Sequence, residues 1–186
     1  NLQVLISKGN LLVSNLSLAD DFVFRRSVVL ICDMENQKNP FGFILNKPLE
    51  VNLTNIDSRI SKKFKVYFGG PVEQGRLFCI HKSKLKLKSS KKITNDLSYG
   101  CNLNEIITKA QNGELNEENI MFFLGYSGWS DSQLLEEIND KCWKIDEGYS
   151  MNIFEKSEEN LWTRLTKKMK GNSYIWSNAP ENLQDN

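Results

Sequence analysis

The residues that could do chemistry in this chain stand in four short runs, each of which ends a strongly apolar stretch. The runs are Leu45-Asn46-Lys47-Pro48, Phe68-Gly69-Gly70-Pro71-Val72, Leu77-Phe78-Cys79-Ile80-His81 and Leu124-Gly125-Tyr126-Ser127-Gly128-Trp129. Glycine and proline impose special backbone shapes, so the chain must change direction where they follow a strand. A binding or catalytic site is expected at these places, although the runs do not spell out a reaction.

The run that ends at Trp129 lies between a predicted strand and a predicted helix, as the serine of a nucleophile elbow does. That motif needs glycine two positions before and two positions after the serine. Gly125 meets the first requirement, but Trp129 stands at the second. The only histidine, His81, precedes Ser127, whereas hydrolases of that fold place it later. We expect a tight connection in which Gly128 turns the chain and Trp129 packs on the sheet; the alternative is a ligand pocket at the helix N-terminus.

Two further runs allow a structural and a functional interpretation. Gly69-Gly70-Pro71 lacks the GxxxxGK[ST] pattern of a phosphate-binding loop, and a strand follows it, so we interpret it as a sharp turn. His81 ends an apolar strand and is interpreted as a hydrogen-bonded boundary residue. The alternative is a ligand contact or a proton shuttle, because imidazole changes its charge near neutral pH.

A polar cluster could form beside the turn that ends at Trp129. Gln133 and Glu137 are four residues apart and share one face of the predicted helix. Together with Lys47 and Arg76 they could line a site. An exposed helix face explains the pair equally well.

A separate run from Lys82 to Lys92 holds six lysines and no acidic residue. It carries +6, so the rest of the chain sums to −5, since the net charge is +1. In an extended strand, Lys82, Lys84, Lys86 and Lys88 would lie on one side, where they could follow a nucleic-acid backbone. The run has no aromatic residue for base stacking and no arginine. The alternatives are a solvated edge that opposes aggregation and a surface for an acidic protein partner.

Composition describes an ordinary globular protein. The 186 residues are 40% hydrophobic and 25% charged, which predicts one domain over residues 1–186, with 172–186 as a C-terminal extension. A net charge of +1 argues against a surface built wholly for nucleic acid or an anionic membrane. No apolar stretch approaches the ~20 residues that span a bilayer, and the first residues show no secretory pattern.

The cysteines argue for a reducing cytosol and against a metal site. They are widely separated and include no CxxC pair, and three lie in or beside apolar runs; they are Cys32, Cys79, Cys101 and Cys142. With a single histidine and no clustered thiols, we expect no metal and no other cofactor.

The elements that would position these runs follow from apolar periodicity. The predicted strands are 11–14, 27–32, 41–45, 65–68, 77–80 and 120–124, with the last one central. We expect the second and third to form a hairpin, and the fourth and fifth to pair across Gly69-Gly70-Pro71. Predicted helices are capped by Asn104, Ser130 and Ser157, and the last one ends at Gly171. Strands and helices do not alternate strictly, which favours an α+β fold with a mixed sheet.

Taken in order, these runs resemble the AlgH/YqgE family of bacterial proteins over residues 9 to about 170. The matching pieces are Gly9-Asn10-Leu11-Leu12-Val13-Ser14, Phe22-x-x-Arg25-Arg26-Ser27-Val28-Val29-Leu30, Gly42-Phe43-Ile44-Leu45-Asn46-Lys47-Pro48, Gly69-Gly70-Pro71-Val72, the strand ending at His81, and Gly125-Tyr126-Ser127-Gly128-Trp129 followed by Gln133-Leu134 and Glu137. Each piece is weak alone, but their order is specific.

The resemblance implies an α+β fold with a mixed, bifurcated sheet, a small barrel-like part and surrounding helices, in a bacterial cytoplasmic protein. It implies no established reaction, and the label of transcriptional regulator that members often carry is not a demonstrated mode of DNA binding. The chain departs from the pattern where many members have an acidic residue and a histidine, since it has Asp33-Met34 there. The histidine of those members therefore has no counterpart at this place in the chain.

We therefore hypothesise a non-enzymatic, cytoplasmic interaction or regulatory module with an unidentified protein partner and no catalytic residue. The alternative is a small-ligand or nucleotide-binding protein, or an unrecognised enzyme, with its pocket at the Gly69-Gly70 and Gly125–Gly128 turns. A further hypothesis is nucleic-acid contact through Lys82, Lys84, Lys86 and Lys88 of the lysine run. The hypothetical ligand or partner surface consists of Asn46, Lys47, Gly69, Gly70, Pro71, His81, Ser127, Gly128, Trp129, Gln133 and Glu137.

Overall fold

The computed structural model describes residues 6–35, 38–130, 132–148 and 151–169. Within these ranges the chain forms ten strands and four α-helices. The strands are β1 (Leu11–Ser14), β2 (Val28–Glu35), β3 (Lys38–Ile44), β4 (Pro48–Asn52), β5 (Lys65–Phe68), β6 (Val72–Lys82), β7 (Lys91–Lys92), β8 (Leu97–Tyr99), β9 (Ile120–Gly128) and β10 (Trp143–Asp146). The helices are α1 (Leu53–Ile56), α2 (Leu103–Gln111), α3 (Gln133–Asn139) and α4 (Leu161–Lys168).

All ten strands belong to one sheet, in the order β10-β1-β2-β3-β9-β6-β8-β7, with β5 joined to β9 and β4 joined to β5. The pairing of β5 with β9 is parallel, and the other pairings are antiparallel. The α+β class with a mixed sheet is therefore confirmed. The sheet is not closed into a barrel, so the barrel-like part that the resemblance implied is not seen in the described residues.

The central strand β9 explains how the sheet is built. One edge of β9 pairs with β6. The other edge is shared, because its first half pairs with β5 and its end pairs with β3, where Ser127 lies opposite Gly42. Adjacent side chains of a strand point to opposite faces. Phe122 accordingly packs in one apolar cluster with Phe64, while Phe123 packs in another with Phe43.

Three apolar clusters hold the helices against the sheet. The first includes Trp162 of α4, and the second includes Ile106 of α2. The third includes Leu134 of α3, together with Trp129 and Trp143. Burial of this apolar area is the main stabilising contribution to the fold. No helix in the described ranges is long and apolar enough to cross a membrane.

The expected pairing of residues 65–68 with 77–80 is wrong. β9 lies between β5 and β6, and pairs with both of them. The chain runs along one edge of β9 as β5, crosses over the β9 backbone at Gly69-Gly70, and returns along the other edge as β6. The glycines therefore serve a backbone crossing rather than a hairpin turn. The predicted hairpin of β2 and β3 is confirmed.

The helix caps differ from those that the sequence predicted. Asn102, not Asn104, caps α2 by accepting a hydrogen bond from the Glu105 backbone N–H at 3.1 Å. Asn160 caps α4 in place of Ser157. Helix α3 begins at Gln133, whose side-chain oxygen accepts hydrogen bonds from both the N–H and the hydroxyl of Ser130. Gly171 and the C-terminal extension, residues 172–186, lie outside the described residues.

The lysine run is not the extended strand that would place four lysines on one side. After Lys82, the last residue of β6, a short 3-10 helix covers Ser83–Leu85. Lys86 then adopts a left-handed backbone with φ of 52°. Leu85 and Leu87 are buried, and the turn follows from their packing in the core.

Candidate functional site

The two predicted glycine corners meet directly, backbone against backbone. A Cβ atom on Gly69 would overlap the Gly125 carbonyl oxygen, and one on Gly70 would overlap the backbone at Tyr126 and Ser127. Gly125 has a φ of +71°, and a Cβ there would overlap the Gly70 carbonyl oxygen. Two main chains can approach this closely only where both lack side chains. We call these residues, Gly69, Gly70 and Gly125, the glycine crossing.

The glycine crossing is closed rather than hollow. Gly69, Gly70 and Gly125 are buried, and Ser127 is fully buried. The Ser127 hydroxyl donates a hydrogen bond to the Gly69 carbonyl oxygen at 3.0 Å. It therefore ties the two corners together, and this bond gives the hydroxyl no base that could activate it. Pro71 and Gly128, at the margins, are exposed.

Asn46 and Lys47 hold neighbouring segments in place. The Asn46 side chain accepts a hydrogen bond from the Val28 N–H at 2.9 Å and donates one to the Arg26 carbonyl oxygen at 2.8 Å. The half-buried Lys47 ammonium donates to the Val23 carbonyl oxygen. Burial lowers the pKa of Lys47, and the charge of nearby Arg25 lowers it further. Both side chains thus fix the segment that leads into β2.

His81 lies at the other end of β9 from the glycine crossing. It pairs with Ile120, the first residue of β9, whereas Ser127 is near the last. These positions are seven residue steps apart along the strand, a distance of roughly 23 Å. The buried imidazole contacts the Lys82 carbonyl oxygen through Nδ1 at 2.9 Å and the Ser90 hydroxyl through Nε2 at 2.6 Å. Burial lowers its pKa from 6.5. This geometry is that of a hydrogen-bonded boundary residue.

Glu137 organises an indole cluster on the third apolar core. Its Oε2 atom accepts hydrogen bonds from the indole N–H groups of Trp129 at 2.8 Å and Trp143 at 2.7 Å. Its Oε1 atom accepts one from the Gln133 amide at 2.9 Å. Trp129 is buried, as predicted, and its ring centroid lies 6.0 Å from that of Trp143. The carboxylate therefore locks α3 onto the end of the sheet.

The predicted polar cluster of Gln133 and Glu137 with Lys47 and Arg76 does not form. Gln133 and Glu137 bond each other, and both Lys47 and Arg76 bond other partners. The Lys47 ammonium bonds Val23, and the Arg76 guanidinium bonds the Glu73 carboxylate at 2.9 Å. In the described ranges, no group of three or more histidine, cysteine or acidic side chains is placed to hold a metal ion.

An open cleft lies elsewhere, where five separate segments meet. Its volume is about 840 Å³. The apolar lining comes from Leu11, Leu30, Leu97 and Phe154, and the charged lining includes Lys82, Lys84, Asp96 and Glu147. The Lys82 ammonium stands 5.7 Å from the centroid of the Phe154 ring. Two residues of the lysine run thus border this cleft, which sequence reasoning did not locate.

The family of this chain follows from comparison with known proteins. A family model described as AlgH-like matches residues 11–174. The chain belongs to the AlgH-like family. A UPF0301 protein of Cytophaga hutchinsonii is 35% identical over 178 residues, which is 95% of this chain and 97% of that protein. A UPF0301 protein of Chlorobium phaeobacteroides is 32% identical over 180 residues, 96% of this chain and 91% of that protein.

Two solved structures share the fold of this AlgH-like protein. A Corynebacterium diphtheriae protein has a TM-score of 0.75 at 19% identity, covering 94% of this chain and 93% of its own. The AlgH protein of Pseudomonas aeruginosa, solved in solution, has a TM-score of 0.70 at 22% identity, covering 93% and 94%. These likenesses show the fold alone, and no specific function is established for the family.

The residues that carried the resemblance serve the AlgH-like fold in visible ways. The glycine crossing carries β5 over β9, and Asn46 ties β2 to the chain that follows β3. Trp129 and Glu137 join α3 to the sheet. Of the surface predicted from the sequence, the structure brings together Gly69, Gly70 and Ser127, together with Gly125. It places His81 far from them.

Proposed function

We propose that this AlgH-like protein is a non-enzymatic binding protein that holds a small molecule in the cleft between β1 and the Lys82–Leu97 segment. The observation that carries the proposal is the cleft itself. Its volume of about 840 Å³ falls in the range of ligand pockets, roughly 300–1,000 Å³. The non-enzymatic part is supported by Ser127 and His81, because both side chains are occupied by structural hydrogen bonds.

The lining defines the class of ligand. The partly exposed side chains of Leu97, Met151 and Ile153 offer an apolar wall, which favours a ligand with a hydrophobic body. Lys82 and Lys84 are cationic, whereas Asp96 and Glu147 are anionic. The rim of the cleft can therefore pair with a ligand group of either charge. A compact molecule with an apolar body and a charged group fits this lining best.

As part of the same proposal, the protein acts in the cytoplasm as a regulatory module. Its four cysteines are free thiols, which supports a reducing compartment. Occupation of the cleft would add contacts between residues 151–154 and the sheet. That change would be the signal read by a partner.

A thermal-shift screen against a metabolite library tests the binding proposal. At about 100 times its Kd, a ligand stabilises the folded chain by about 2.7 kcal/mol. In a domain of this size that raises Tm by about 5–10 °C. Exposed Asn95 lines the cleft, so Asn95→Trp should abolish the shift, whereas Asn104→Trp on the exposed face of α2 should preserve it. A screen without any stabilising compound, or a shift unaffected by Asn95→Trp, would refute the proposal.

A specific observation favours a second function, the binding of a protein partner. Phe22 is 87% exposed, and the Arg25 guanidinium carbon lies 5.8 Å from its ring centroid. Exposed aromatic and arginine side chains are frequent anchors of interfaces. Pro71, Gly128 and Gln133 of the predicted surface are also exposed and remain part of this second proposal.

The partner proposal is tested with purified components after affinity capture. A partner should form a stoichiometric complex with the wild type and with Phe22→Tyr, and should bind Phe22→Ser at least about tenfold more weakly. Equal affinities for the three proteins would remove Phe22 from any interface.

A further inference from the structure

A second pocket lies on a different part of the sheet from the cleft. Its volume is about 400 Å³, within the range of small-ligand sites. Its walls include the aromatic rings of Phe41 and Tyr126, the charged side chains of Arg76 and Lys91, and the side chain of Cys101. Glu73, whose carboxylate pairs with Arg76, also lines the pocket, so that with Lys91 it carries one net positive charge. The half-buried Cys101 thiol therefore lines a pocket with an excess of positive charge.

A second thiol stands directly behind this one. Cys79 is fully buried in β6, and the Gly100 N–H donates to its carbonyl oxygen at 3.0 Å. If β8 continued regularly, Cys101 would point to the opposite face from Cys79. Gly100 has a φ of +141°, which redirects the chain, so that Cys101 packs against the apolar cluster that contains Cys79. The Cys79 thiol donates a hydrogen bond to the Gly100 carbonyl oxygen, and it is near enough to Cys101 for the two thiols to affect each other's acidity.

The two thiols differ in acidity. A side-chain hydrogen bond with Cys79 lowers the pKa of Cys101, burial opposes this effect, and the Arg76 charge lowers the pKa further. The same hydrogen bond and complete burial raise the pKa of Cys79. Cys101 lines the pocket whereas Cys79 is fully buried, and the thiolate is the nucleophile in disulfide exchange. Cys101 is therefore the attacking member and Cys79 the resolving member.

We propose that Cys79 and Cys101 form a redox-active thiol pair whose oxidant is an anionic low-molecular-weight disulfide that enters the 400 Å³ pocket. Arg76 and Lys91 would attract the anionic groups of that molecule. The pocket and the cleft share no lining residue, so the two proposals can be tested separately.

The reaction proceeds in two exchanges. The Cys101 thiolate attacks one sulfur of the disulfide, whose S–S bond breaks, and one thiolate leaves as a mixed disulfide forms at Cys101. Cys79 then gives up its proton and attacks the Cys101 sulfur, which releases the second thiolate. Two protein thiols are oxidised to one disulfide, the small disulfide is reduced to two thiols, and the two protons end on those thiols.

The test uses the wild-type chain under native conditions with oxidised glutathione as the probe, followed by acid quenching and peptide mapping by mass spectrometry. We expect glutathione on Cys101 at early times and a Cys79–Cys101 crosslink, with loss of two hydrogens, later. Cys142 is also half-buried and serves as the internal control, which we expect to react at least about tenfold more slowly. Cys79→Ser should trap glutathione on Cys101.

Several outcomes would overturn the proposal. If Cys101 is modified no faster than Cys142, Cys101 is not the attacking thiol. If the oxidised wild type lacks the Cys79–Cys101 crosslink, Cys79 is not the resolving thiol. This test does not require the Cys79→Ser variant to fold. Arg76→Gln should slow the reaction of oxidised glutathione more than that of the cationic disulfide cystamine; equal slowing would refute the choice of an anionic oxidant.

Discussion

Placing a methyl group on Gly125 tests whether the glycine crossing holds the sheet together. Gly125 has a φ of +71°, and a Cβ there would overlap the Gly70 carbonyl oxygen and lie 2.9 Å from that of Val72. Both neighbours are backbone atoms held in strands or in the crossing, so neither can move aside as a flexible side chain would. Gly125→Ala therefore combines backbone strain with a clash.

The expected loss in the free energy of unfolding has two contributions, backbone strain and the steric clash. An alanine in the left-handed region costs about 1–2 kcal/mol. Forcing a methyl group into a closely packed interior costs about 1–3 kcal/mol more. The chain offers a matched control in Gly113, which has a φ of +72° and no heavy atom within 4 Å of its Cβ position. Gly113→Ala should therefore show the strain alone, and the difference between the two variants measures the crossing.

Urea unfolding of both variants and the wild type provides the assay. We expect Gly113→Ala to lose about 1–2 kcal/mol and Gly125→Ala about 2–5 kcal/mol, with similar m-values. Far-UV circular dichroism would verify that both variants keep the fold before unfolding. Equal losses would show that the main chains at positions 70 and 125 are not in the close contact described, and the reasoning about the crossing would be refuted.

Glu137→Ala leaves two indole N–H groups unpaired and should lower the free energy of unfolding by about 2–4 kcal/mol in urea. The control Glu136→Ala, at an exposed position, should change it by less than about 0.5 kcal/mol. Similar losses in the two variants would contradict the indole cluster. Burial lowers the pKa of His81 below 6.5, so the unfolded chain takes up this proton first, and the contribution to stability present above that pH is lost on acidification. The decrease in unfolding free energy from about pH 7.5 to about pH 5.5 should be smaller in His81→Gln than in the wild type. Identical decreases in the two proteins would contradict the lowered pKa of His81. Because Lys84 and Lys86 lie in a turn, their replacement by glutamine should leave the salt dependence of any nucleic-acid binding unchanged, and a slope reduced by roughly 1 per lysine would contradict this expectation.

The sequence predicts the strands that are long and apolar, because burial on both faces leaves a continuous hydrophobic run. Residues 120–124 identify β9 as central for this reason. The strands β4, β7, β8 and β10 escape prediction because they are short or polar, and their pairing depends on distant partners. The β5–β6 error has a physical cause: two glycines permit a crossing as readily as a turn, and only the position of β9 decides between them.

The candidate sites divide in the same way. The sequence predicts a site shared by Gly69-Gly70 and the Gly125 corner, and the structure brings these glycines into contact, with Gly125 inside β9 and not after it. The sequence does not show that their backbones fill the space between them. The cleft draws residues from five segments without a common motif, and the Cys79–Cys101 pair depends on the backbone of Gly100. Such sites arise from tertiary contacts and leave no local pattern.

Two-dimensional NMR of the wild-type chain, titrated with the best compound from the thermal-shift screen, tests the binding proposal most directly. We predict that the amide shifts concentrate at the cleft, on residues such as Gly9, Thr94, Asp96 and Gly148. Shifts that concentrate instead around Gly70 and Ser127, or no saturable shift at any concentration, would contradict the assignment of the cleft as the ligand site.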